Sequence, residues 1–151
     1  MHKRAAFSVV ELLIVMAIIA DLAIIGIPAY ARARRNAQNT ALSNDIRILA
    51  SAFEMHAAEF NRYPAETGPG VEPAGMGPYM KGAIFTSQTP IGGLWDWDYQ
   101  QGYAVAALCV DLADDADPIQ MVDIDTRIDN GILSTGVFRE RSTRRYAYII
   151  E

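Results

Sequence analysis

The apolar run near the N-terminus constrains this chain more than any other feature. From Phe7 to Pro28 it is broken only by Ser8, Glu11 and Asp21, and it is preceded by a short polar head with His2, Lys3 and Arg4. Wound into an α-helix, the run measures about 33 Å, which matches the roughly 30 Å hydrocarbon core of a bilayer. Membrane insertion is therefore the default expectation. Within such a helix a carboxylate costs on the order of 2.5–3.5 kcal/mol at the centre and less near an end, so it needs a partner or a purpose. Glu11 lies four residues past Phe7, one helical turn away. A cut between Ala6 and Phe7 would create an α-amine there, and Glu11 would be the carboxylate that neutralises it.

The order of residues from Ala6 to Val15, Ala-Phe-Ser-Val-Val-Glu-Leu-Leu-Ile-Val, after a basic leader, resembles the prepilin signature of type IV pilins and type II secretion pseudopilins. That family combines a small residue at the junction, Phe at the first mature position and Glu at the fifth. Ala6 departs from the Gly that usually precedes the cut. The resemblance implies cleavage between Ala6 and Phe7 and N-methylation of Phe7 by a prepilin peptidase, with Lys3 and Arg4 as the leader's charge. It implies assembly through Glu11 with other copies or homologous pilins, on an inner-membrane platform. It also implies a single-pass protein of the inner membrane, lipid around its helix and its C-terminal head in the periplasm or outside the cell, until it joins a filament. Arginines at 32, 34 and 35 balance the leader's cations, so the positive-inside rule alone does not orient the span.

Two other readings of the stretch stay open. Ala29-Tyr30-Ala31 is a small-x-small site of the kind signal peptidase cuts, although the apolar region would then exceed the usual 7–15 residues and contain two acids. An uncleaved anchor is the other. The expected segments are a leader over 1–6, a membrane or assembly helix over 7–30, an amphipathic continuation over 31–62 and a head over 63–151. Gly26 and Pro28 predict a kink or frayed turn near the membrane exit, and the resemblance implies partial unwinding there in the assembled state.

Beyond Pro28 the apolar pattern becomes periodic. Leu42, Ile46, Leu49, Phe53, Ala57 and Phe60 recur at three- and four-residue spacing, the mark of one helix face, and Pro64 ends the helix by disfavouring helical geometry at Tyr63. From Pro64 to Gly93 glycines and prolines crowd a connecting loop, with one helical turn expected around Tyr79 to Phe85. No Gly-Lys-Ser/Thr follows them, so they are not a phosphate loop. Trp95, Trp97 and Tyr99 alternate with Asp96 and Asp98, predicting a strand with aromatics on the core face and acids on a solvated one. A second strand over Gly102–Val110 follows through a tight turn. Strands around Leu133–Arg139 and Arg144–Ile150 complete an antiparallel sheet of about four strands on the amphipathic helix, a pilin-like α+β fold.

Asp111, Asp114, Asp115 and Asp117 form the one constellation able to offer calcium several oxygens. Asp117-Pro118-Ile119-Gln120 is equally a helix start, with an N-cap, a proline at the first position and a Gln in the capping-box place. That helix is expected to run to Asp129 before Asn130-Gly131, with Ile119, Met121 or Val122, Ile124 and Ile128 on its apolar face. A net charge of −5 argues against a broad nucleic-acid-binding surface. The single Cys109 forbids an intrachain disulfide, and His56 has no nucleophile near it in sequence. No catalytic set emerges. A tethered enzyme or binding domain is the alternative of a different class, with Trp95, Asp96 and Trp97 as its place.

Overall fold

A computed structural model describes residues 8–80, 82 and 84–151; the processing site expected at Lys3, Arg4, Ala6 and Phe7 lies outside these residues. Helix α1 runs from Val9 to Phe60. The chain divides into two compact units, Met1–Asn36 and Ala37–Glu151.

In the first unit the helix is apolar all round and uncovered. It is the one described helix long and apolar enough to cross a membrane, and none of that span is buried. The helix passes through Gly26 and Pro28 without a break, so the frayed turn expected there is absent. Proline in a helix removes one backbone donor but does not force the chain to unwind when the remaining turns hold.

In the second unit α1 ends where Asn61 takes a positive φ of 54°, the left-handed geometry that closes a helix. The sheet is four-stranded and antiparallel, in the order β1-β2-β4-β3, where β1 is Leu94–Gln101, β2 Ala104–Asp111, β3 Phe138–Ser142 and β4 Arg145–Ile149. Helix α2, Pro118–Ile128, connects β2 to β3. The third strand falls later than the sequence pattern suggested, whereas β4 lies where a strand around Arg144–Ile150 was expected. Leu133 to Val137 is loop, and the hairpin turns at Thr143 and Arg144. Glu140 is held in the sheet by pairing with Tyr146.

The core lies between the sheet and α1. Leu42, Ile46, Leu49 and Phe53 meet Trp95, Trp97, Leu108, Val110 and Tyr146. Its centre is a stack of Phe53 on Trp97, ring centroids 3.6 Å apart and 3° from parallel, and the Trp97 indole N–H donates to the Pro64 carbonyl at 3.1 Å. The connecting loop is more than a connector. Met76, Met80 and Phe85 are buried in the same core, and its turn is set at Met76–Met80, where the amides of Tyr79 and Met80 both donate to the Met76 carbonyl. The same loop covers the outer edge of β1 through bridges Thr67 to Trp97 and Gln88 to Leu94. Gly93, just before β1, allows a close approach to the end of β2: its φ is +82° and a Cβ there would stand 2.3 Å from the Asp111 carbonyl oxygen.

Helix α2 starts as its sequence dictates, with the Asp117 carboxylate accepting from the Ile119 amide at 2.9 Å and Pro118 at the first position. Gln120 does not close a capping box. Its amide donates to the Asn39 side chain at 2.8 Å and ties α2 to α1. Met121 and Ile124 face the core, whereas Ile119 and Val122 point outward.

Candidate functional site

Two regions carry polar chemistry of interest. The first is the start of α1. The Ser8 amide donates to the Glu11 carboxylate at 2.8 Å, and the Glu11 amide donates to the Ser8 hydroxyl at 3.2 Å. This reciprocal pair is a capping box, which satisfies donors that a helix N-terminus leaves open and sets a carboxylate at the positive end of the helix dipole. Reading the stretch for its junction alone passed over it, although Ser8-x-x-Glu11 is its sequence signal. Glu11 is thus fixed at the amino end of the apolar helix, against its own chain.

The second region is the face of the sheet turned away from α1. In register across three strands, Asp96 pairs with Cys109 and Cys109 with Ala147, while Asp98 pairs with Ala107. Ala107, Cys109 and Ala147 are small and fully buried, and they leave room for the Arg145 side chain to lie across β2. Its guanidinium reaches Asp96 at 2.5 Å, Asp98 at 2.7 Å and Asp111 at 3.1 Å. Tyr103 donates its hydroxyl to Asp98 and meets the Cys109 sulfur at 3.2 Å. The Arg141 guanidinium lies 3.9 Å over the Tyr103 ring, a cation–π contact.

Asp96 and Asp98 are therefore buried, not solvated as their alternation with aromatics suggested. The outer face is covered by the chain's own Arg145, Tyr103 and Arg141, a long-range arrangement that strand periodicity does not reveal. The two carboxyls respond differently. Burial raises Asp96, and Arg145 with the Trp97 amide does not offset it, so its pKa lies above the ordinary value. Burial also raises Asp98, but hydrogen bonds from Tyr103, Arg145 and Cys109 outweigh that and leave it lowered. Burial pushes the Cys109 thiol well up, which is the reverse of what a reactive thiolate needs.

The four aspartates offered for calcium are spread over separate duties. Asp111 binds Arg145, Asp115 accepts from the Thr143 hydroxyl at 2.9 Å and Asp117 caps α2. Asp114 and these two neighbours line a shallow cavity of about 270 Å³ beside Gly92 and Gly93. Among the described residues no three His, Cys, Asp or Glu side chains stand as a metal-holding group. His56 is buried, with Nδ1 3.2 Å from the Arg62 carbonyl and its ring packed between Phe60 and Tyr79.

Neither a family model nor a curated protein matches the sequence. Among solved structures the chain is similar to the major type IV pilin PilA1 from Clostridium difficile, at 15% identity and a TM-score of 0.53, over 77% of this chain and 96% of that one. At that identity the likeness is one of fold: a long N-terminal helix packed on a four-stranded antiparallel sheet.

Proposed function

We propose that the chain is a non-catalytic structural subunit, a pseudopilin or minor pilin, which assembles through its apolar helix into a type IV pilus-like or type II secretion pseudopilus filament. The observation that carries this reading is the uncovered apolar half of α1, begun by Glu11 in a capping box and joined to a head of pilin fold. An apolar surface of that extent must be covered by lipid before assembly and by neighbouring helices after it. A prepilin peptidase cuts between Ala6 and Phe7 and methylates the new amine, whose charge the Glu11 carboxylate of a neighbour neutralises. The inner-membrane platform then draws the helix out of the bilayer. The head, held outside the membrane, offers side-chain surfaces rather than a reaction centre: its thiol is suppressed by burial and its acids are bound to Arg145.

The mature N-terminus tests this directly by mass spectrometry. Methylated Phe7 is expected. A chain starting at Arg32 would show signal-peptidase export, and a chain starting at Met1 an uncut anchor. Glu11→Val is expected to be cleaved normally and to lose assembly; full assembly of that variant would overturn the charge-pairing step.

A further inference from the structure

Asp21 lies in the apolar half of α1 with a purpose that neither cleavage nor capping supplies. At about 100° per residue, Ile14, Ile25, Pro28 and Arg32 all fall within about 40° of it, on one stripe of the helix. Its side chain is exposed, and among the described residues it makes no hydrogen bond or ion pair. Two cations share the stripe: Arg32, about 20° around and about 16 Å further along the axis, and Arg35, about 40° around and about 21 Å along, both too far to meet Asp21 within one chain. Arg32 is the nearer and better aligned, and Arg35 already has a contact of its own. The Arg32 side chain turns back along the helix, its Nε donating to the Pro28 carbonyl at 3.3 Å. That lowers its charge by up to one turn, or about 5 Å.

One stripe thus presents an acid and a base separated by roughly 10–16 Å of axial distance. We propose that Asp21 of one copy pairs with Arg32 of a second, parallel copy displaced along the helix axis by that amount, so that the pair fixes the stagger between neighbouring helices. This rests on the filament reading above. The occupant follows from charge complementarity. An anionic lipid headgroup would satisfy Arg32 but repel Asp21, whereas a shifted copy of the same helix satisfies both. Unshifted parallel copies would set Asp21 against Asp21. Because the contact is head-to-tail along the axis, one copy of each pair keeps its Arg32 unused and the other its Asp21, and the pairing propagates instead of closing.

The full-length chain is expressed with its assembly machinery, and surface filaments and membrane-inserted subunit are measured together. Asp21→Arg and Arg32→Asp are each expected to lose filaments, and the double exchange to recover them. Asp21→Asn and Arg32→Gln give the same reading where a reversed charge prevents insertion. A chain carrying both Asp21→Cys and Arg32→Cys is expected to give a ladder of disulfide-linked oligomers on oxidation. Arg34→Cys in place of Arg32→Cys, about 140° away from Asp21, is expected to give none. Single variants that assemble as the parent does, a double exchange no better than its components, or equal ladders from positions 32 and 34 would overturn the pairing while leaving the filament reading intact. A parent chain that stays in the membrane with its machinery present and forms no filament would overturn both.

Discussion

Replacing Arg145 by Met removes the one guanidinium that serves three carboxylates while keeping most of the side-chain volume. Asp96 and Asp98, whose side chains are 5% and 8% exposed, would be left as buried anions side by side on one face of β1. Removing one partner of a buried pair costs about 3–5 kcal/mol, and because Arg145 itself is 26% exposed the lower end, about 3 kcal/mol, applies. For a unit of this size that is a fall of roughly 10 °C in melting temperature. The cost depends on pH with a definite sign. In the parent, Asp98 is depressed, so its contribution is present above its unfolded pKa and lost as pH falls through the folded one. Asp96 is raised and acts oppositely, so in the parent the contributions of these two carboxyls oppose each other as pH falls. In Arg145→Met both carboxyls lose their cation and rise, so the variant binds protons on folding and gains stability as pH falls. Thermal melts of the full chain in detergent micelles between pH 7 and pH 4 are the assay. A deficit that shrinks toward pH 4 is expected, and one that is constant or widens would refute this account of the cluster.

Trp97→Ala removes the Phe53 stack and the bond to the Pro64 carbonyl together; a loss of about 3–5 kcal/mol is expected, read by urea denaturation in the same micelles. Asp125 is fully buried in α2 with neither oxygen well bonded, and burial followed by the charge of Asp129 raises its pKa. The ionised form therefore opposes folding at neutral pH, and Asp125→Asn is expected to stabilise the chain by about 1 kcal/mol at pH 7, with the gain fading as pH falls through the native pKa. A destabilised Asn variant at pH 7 would sink that reading. Calcium added to the metal-free full chain is expected to leave the melting temperature unchanged, because Asp111, Asp115 and Asp117 already hold internal partners; a clear upward shift would show that the loop gathers around an ion.

What could be read from the sequence was whatever depends on neighbours in the chain. The helix stripe Leu42, Ile46, Leu49 and Phe53, its stop before Pro64, the Asp117 cap and the alternation that turns Trp95 and Trp97 inward are all local, and the fold class followed from them; Phe60, expected on the same stripe, is 51% exposed. What escaped depends on residues far apart. Arg145 stands forty-seven positions from Asp98, and no periodicity in β1 announces that its acids will be covered from β4. Met76, Met80 and Phe85 were hidden among glycines and prolines that mark turns without saying which side chains between them are buried. The late start of β3 has the same origin, since Leu133 and Val137 look like strand residues but serve a loop. At the candidate site Glu11 stands out in the sequence as the acid near the start of the apolar run, while the Ser8 hydroxyl's share in holding it is legible only from the Ser-x-x-Glu spacing of a helix start.

Both lateral edges of the sheet are occupied. The loop at Thr67, Gly70 and Gln88 binds β1, and the Leu133 carbonyl takes the Glu140 amide on β3. Subunits of such a design cannot grow into one another by lending strands, the route by which exposed edges fuse into permanent aggregates. If copies assemble as proposed, contact between heads would run through side chains, which can part and meet again without either partner unfolding. In the filament proposed above, the heads would then be free to differ in what they display while the apolar helices carry the association.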